Sequence, residues 1–214
     1  MRIERLQLGP MANFVYLLQG EGAAGLAVVD PAWQPEQLLA RAAQLCLPIT
    51  DIVLTHHHAD HRNGVEALLA RFDARIHAQL SEQPWLQDLG WQGQVTWHTS
   101  GDVIALGLDR VTCVHTPGHT PGSQCLLVDD RLLTGDTLFV NGCGRCDLPG
   151  GDPQQMFASL HALLSRLAGT TRVLPGHDYA ATPDATLDEQ RNSNPYLQLP
   201  TERDFVSFRM RPRT

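Results

Sequence analysis

An α/β sandwich, with two mixed β-sheets packed face to face and helices on both outer faces, is the fold that this 214-residue sequence predicts. Three observations predict it. Short apolar runs bounded by Gly, Pro and Asp recur along the chain, helical periodicities stand between some of them, and the strand pattern starts again near Gly101. No low-complexity linker and no short-period repeat divides the sequence, so residues 1–214 read as a single domain.

Residues 14–20 (FVYLLQG) and 25–31 (GLAVVDP) read as strands separated by a Gly-rich hairpin. A helix over 35–46 follows, with Leu38, Leu39, Ala42 and Leu45 on one face, and then a buried strand over 49–54. Val65, Leu68, Leu69 and Phe72 mark a second helix. In the other half, VIAL (103–106), RVTCVHT (110–116), SQCLLVD (123–129) and RLLTGD (131–136) are short strands broken by turn residues. Asp152, Pro153 and Gln155 form a helix start with a cap, a proline in the first turn and a Gln placed to reach back. Met156, Phe157, Leu160, Leu163, Leu164 and Leu167 then repeat at helical spacing as a core-facing stripe, and TRVLPG (171–176) is a further strand.

Composition narrows the function. With 43% hydrophobic and 18% charged residues the chain is globular. Its net charge of -7 argues against nucleic-acid binding, which depends on Lys and Arg displacing counterions from phosphate. All sixteen basic side chains are Arg, so lysine Schiff-base chemistry is excluded. No apolar stretch has the length of a membrane span or of a signal-peptide core, and the expected location is the cytoplasm. Five cysteines (Cys46, Cys113, Cys125, Cys143 and Cys146) show no framework spacing and fit a reducing compartment. Cys143 and Cys146 form a C-x-x-C read as ordinary thiols.

The strand over 49–54 delivers THHHADH, which packs His56, His57, His58, Asp60 and His61 into residues 55–61. Such density of ligand-capable side chains points to metal rather than to a solvated turn. His119 stands in a Pro/Gly loop, and Asp136 and His177 stand at the tips of two apolar strands, each of the three after a Gly. Singly each is an ordinary turn residue; together with His56, His58, Asp60 and His61 they make a set of seven that is a candidate site.

His-x-His-x-Asp-His at 56–61, with Gly-His at 118–119, Gly-Asp at 135–136 and Gly-His at 176–177, resembles the metallo-β-lactamase-fold superfamily. GDTLFVNGCGR, PGHDY and ATLDEQRNSNPYL are similar to the glyoxalase II group and to the related persulfide dioxygenases. The resemblance implies one metal held by His56, His58 and His119, a second by Asp60, His61 and His177, and Asp136 bridging both. It implies catalytic roles for Asp60 and Asp136, with His57 pointing away. The expected cofactors are two divalent ions, zinc first, with iron or manganese accepted by the same donors. A hydroxide held between two cations attacks a carbonyl without a side-chain nucleophile, so thioester hydrolysis of an acylated small thiol is the expected reaction. Arg145, Tyr179 and Arg191 are the expected substrate-binding residues. The partner is then a small-molecule thioester or thiol conjugate, neither nucleic acid nor membrane, and a homodimer is left open. The alternatives are an iron-dependent persulfide dioxygenase, with His56, His119 and Asp136 as a facial triad, and a non-catalytic metal-binding or sensory protein.

Overall fold

The computed structural model describes residues 1–211, so the end of the predicted 1–214 domain lies outside the described residues. Strands β1 (Arg2–Leu8), β2 (Asn13–Gln19) and β3 (Leu26–Val29) form an antiparallel meander. Helix α1 (Pro35–Leu45) leads to β4 (Ile49–Val53), the short helices α2 (Ala59–Arg62) and α3 (Val65–Leu69) to β5 (Arg75–Gln79), and α4 (Gln83–Leu86) to β6 (Val95–His98). These strands make one sheet in sequence order, parallel from β3 onward. Next come β7 (Val103–Leu106), β8 (Asp109–His115), β9 (Gln124–Val128) and β10 (Arg131–Gly135), followed by a small ribbon of β11 (Leu138–Phe139) and β12 (Gly142–Cys143). Helix α5 (Pro153–Arg166), β13 (Arg172–Pro175), β14 (Ala185–Thr186), α6 (Leu187–Ser193) and α7 (Glu202–Arg209) complete the described chain. The second sheet runs β14-β13-β10-β9-β8-β7.

The layering follows from strand alternation. On β2, Phe14, Tyr16 and Leu18 enter a core shared with Val111, Leu126 and Leu133 of the second sheet, which places that core between the sheets. Val15 and Leu17 face the opposite way and pack with Leu38 of α1 and Leu68 of α3. Because both faces are buried, a one-residue slip of β2 would exchange two complete sets of contacts, and this pins its register. On the outer face of the second sheet, Val173 packs with Met156 and Leu160 of α5 and with Phe205 of α7. The α/β/β/α sandwich expected from the sequence is therefore present.

Helix α5 starts as its sequence requires. The Asp152 carboxylate accepts from the Gln154 and Gln155 N–H groups, and the Gln155 amide reaches back to it at 2.8 Å, a cap worth about 1 kcal/mol. The helix expected through Phe72 stops at Leu69, because the Arg71 and Phe72 N–H groups both return to the Leu68 carbonyl and close the turn. Topology then gathers the ligand-capable residues. Strands β8, β10 and β13 run in one direction, so the loop holding His119, Asp136 just past β10 and His177 just past β13 emerge at one edge. The segment after β4 meets them there, its Thr55 carbonyl accepting from the Gln124 N–H.

Candidate metal centre

The structure brings all seven expected ligands together. Donor atoms of His56, His58 and His119 lie within 4.8 Å of one another, and so do those of Asp60, His61 and His177. Asp136 stands between the groups, with Oδ2 3.5 Å from His119 Nε2 and Oδ1 3.4 Å from the Nε2 atoms of His61 and His177. Gly135 makes this approach possible: its φ is +47°, and a Cβ there would stand 2.4 Å from Thr55 Oγ1.

Hydrogen bonds on the far side of each ring fix what the near side offers. His61 Nδ1 donates to Asp30 Oδ2 at 3.0 Å, His177 Nδ1 to the Met11 carbonyl at 2.9 Å and His119 Nδ1 to the Arg145 carbonyl at 2.7 Å. Each partner only accepts, so each Nδ1 carries a proton and each Nε2 is the atom turned toward the centre. His61 Nε2 and His177 Nε2 consequently face each other at 3.1 Å, an arrangement that needs a proton or a cation between them. His56 Nε2, His119 Nε2 and Asp136 Oδ1 are buried without any hydrogen-bond partner. Buried polar atoms are rarely left so, and this donor set fits divalent cations.

Titration behaviour agrees. Burial, reinforced by His61 and His119, holds His56 far below the usual histidine range. Burial and His119 push His58 down to about 3, and burial lowers His119. These rings are neutral near pH 7 and ready to ligate. Burial opposes charge on His61 too, but Asp136, Asp30 and Asp60 outweigh it and raise its pKa to about 9. Asp136 is buried as well, yet His61 and His177 keep it well below the ordinary carboxylate range. In the metal-free chain the proton on His61 thus occupies the place of a cation.

A cavity of about 640 Å³ opens over His58, Asp60, His119, Asp136 and His177, and Arg145 and Tyr179 line it. Tyr179 stacks on the His177 ring at 4.6 Å and meets Phe139 edge-on. Arg145 grips Asp147 through two 2.9 Å bonds, a half-exposed pair worth at most about 1 kcal/mol and therefore exchangeable. Arg191 lies on α6, where it bonds Asp188 at 2.6 Å and the Leu164 carbonyl of α5, and it is not among the residues lining this cavity.

Sequence reasoning missed the supporting residues. Asp30, just past β3, holds His61 directly and reaches His56 through the Thr55 hydroxyl, at 2.6 and 3.0 Å along the relay. Asn13 donates to Asp60 Oδ2 at 3.1 Å and is itself fixed by the Trp33 indole at 2.7 Å. Asp30-Pro31 at a strand tip is a visible signal; Asn13 has none.

Residues 8–177 match the family model described as the metallo-beta-lactamase superfamily. The chain is 31% identical over 199 residues to a probable polyketide biosynthesis zinc-dependent hydrolase, PksB, of Bacillus subtilis, covering 93% of this chain and 88% of that protein. It is 39% identical over 170 residues to a hydroxyacylglutathione hydrolase of Anaeromyxobacter dehalogenans, covering 79% of this chain but 62% of the relative. It is 31% identical over 198 residues to the mitochondrial persulfide dioxygenase ETHE1 of Bos taurus, covering 91% and 74%. The crystal structure of ETHE1 from Myxococcus xanthus superposes with a TM-score of 0.88 at 29% identity, covering 100% of this chain and 93% of that one.

Proposed function

The chain belongs to the metallo-beta-lactamase superfamily, and from that premise we propose that it is a dinuclear metal-dependent hydrolase cleaving the thioester of an acylated small thiol. The observation that carries this reading is the second, complete donor set. Asp60 Oδ2 stands 3.4 and 3.6 Å from the facing Nε2 atoms of His61 and His177, which gives a second cation its own place beside the His56, His58 and His119 group. Two bound cations, zinc in our reading, supply an activated hydroxide and a Lewis acid for the carbonyl and the departing thiolate.

The chain's own residues do the rest. Asp136 presents one oxygen to each donor group, and Asp60 adds the second carboxylate charge, so the centre is nearly neutralised but stays electrophilic. Phe139, Val140, Leu148 and Tyr196 give the cavity apolar walls suited to an acyl chain. Arg145 is its cationic side chain, suited to a carboxylate of the thiol carrier. Arg145→Ala is expected to raise KM for an anionic thioester tenfold or more, about 1.4 kcal/mol, with metal content unchanged. Steady-state kinetics on S-lactoylglutathione checks this, and an unchanged KM would return Arg145 to its pair with Asp147.

A second reading has its own support. The ETHE1 structure covers the whole chain, whereas the matched hydroxyacylglutathione hydrolase is much longer than the aligned region. With one iron on His56, His119 and Asp136, the chain would oxidise a glutathione persulfide with oxygen. An oxygen electrode separates the two. Hydrolysis is expected to proceed without oxygen, and iron-dependent oxygen uptake on glutathione persulfide with negligible thioester turnover would overturn our reading.

A further inference from the structure

We propose that Glu82, through His57, is a positioning residue for the first donor group, His56, His58 and His119, and for that group alone. The inference rests on the metal-centre reading above and goes beyond it to how the two ion positions are maintained separately. His57 is the one histidine of the 55–61 run with no place at the centre, and it is engaged elsewhere. Its Nδ1 donates to Glu82 Oε2, its ring stacks on Trp85 with centroids 4.6 Å apart, and its carbonyl accepts from Arg62 Nε at 2.7 Å. Glu82 Oε1 meanwhile accepts from the Thr120 hydroxyl at 2.5 Å and from the Gly122 N–H at 3.1 Å. Thr120 directly follows His119.

One carboxylate, 1% exposed, therefore ties together two loops that are distant in sequence. One loop carries His56 and His58 on either side of His57, and the other carries His119. Their Nε2 and neighbouring donor atoms converge only if both loops keep their spacing, and a ligand displaced by about 0.5 Å no longer ligates well. The second group has anchors that do not involve Glu82: Asp30, which also reaches His56 through Thr55, holds His61, Asn13 holds Asp60 and the Met11 carbonyl holds His177. His56 keeps its bond to Thr55 whatever happens to Glu82, so removing the carboxylate should weaken the first position without abolishing it.

Single-site backgrounds test this. His177→Ala leaves the first donor group intact, and His58→Ala leaves the second. Cobalt(II) affinity is measured by chelator competition in each background with and without Glu82→Ala. We expect Glu82→Ala to lower affinity tenfold or more in the His177→Ala background, as removal of an outer support of a metal ligand does. In the His58→Ala background we expect a change within about twofold. If Glu82→Ala does not fold, His57→Phe keeps a ring on Trp85 and removes only the donor to Glu82, with the same direction expected. Equal losses in both backgrounds, or no loss in the first, would overturn the proposal while leaving the metal reading intact. Absence of cobalt binding by the unmutated chain would overturn both.

Discussion

Asp136→Ala is expected to empty both ion positions at once, taking metal content from about two ions per chain to near none and cutting turnover at least a thousandfold, ~4 kcal/mol of transition-state stabilisation. The reason is geometric. Asp136 sends one oxygen toward His119 and the other toward His61 and His177, and without it the two groups of nitrogens share no negative charge. His177→Ala, by contrast, removes one donor of the second group and should cost one ion. Misfolding is distinguishable from metal loss, because with the metals removed Asp136 has only the His61 charge to balance and Asp30 still holds that ring. With chelator present, the variant should melt within about 4 °C of the wild type, about 1 kcal/mol for a chain of this size. Elemental analysis and thermal denaturation check the pair of expectations. Wild-type metal content in Asp136→Ala would remove the bridge from the assignment.

How far the sequence reveals this arrangement depends on what each residue does locally. The seven donors were legible because each sits in a dense polar run or follows a Gly, and β2, β3 and β4 were legible because both their faces are buried. Strand β1 was not recognised. Its residues RIERLQL interleave charged with apolar side chains on a sheet edge, a pattern that a loop also shows. Strands β5 and β6 carry His77 and His98, which bond each other at 2.9 Å between the strands and dilute the apolar signal. Helix α6 had a readable start, since Thr186 and Glu189 form a capping box, but its polar face concealed it.

The supports of the centre were hidden for a different reason. Glu82 lies 25 residues from His57 and 38 from Thr120, and no local pattern distinguishes it from any acidic residue in a helical turn. Asp30 likewise lies 31 residues from His61. Ligands are specified by chemistry that a sequence displays, whereas the groups that orient them are specified by proximity that only the packed sheets create. Arg191 illustrates the converse. A basic residue beside a family-like segment suggested a substrate contact, while the partners that the fold gives it, Asp188 and a carbonyl in the last turn of α5, are set by packing that the segment does not display.

Gly144→Ala is the substitution from which we expect the largest effect outside the donor set. A Cβ at this position would stand 1.9 Å from the Asp136 carbonyl oxygen and 3.0 Å from Cγ and Nδ1 of His119. Neither obstacle is the end of a flexible side chain, so the loop itself must move, at a cost of about 1–3 kcal/mol in overpacking. Moving it disturbs two further contacts. The Arg145 carbonyl holds His119 Nδ1 at 2.7 Å and so keeps the lone pair on Nε2, and the Gly144 carbonyl accepts from the buried Arg209 Nε of α7 at 2.8 Å. Loss of the first should weaken metal binding ten- to a hundredfold, and a stranded guanidinium adds about 1–3 kcal/mol of destabilisation. The combined expectation is a melting temperature lower by about 10 °C, together with reduced metal affinity. Arg209→Ala serves as the control, because it removes the guanidinium without displacing the loop, and it should lower stability while leaving metal affinity closer to that of the wild type. If Gly144→Ala keeps both wild-type metal affinity and wild-type melting, the loop has room to yield, and the contact between Gly144 and Asp136 does not constrain the centre.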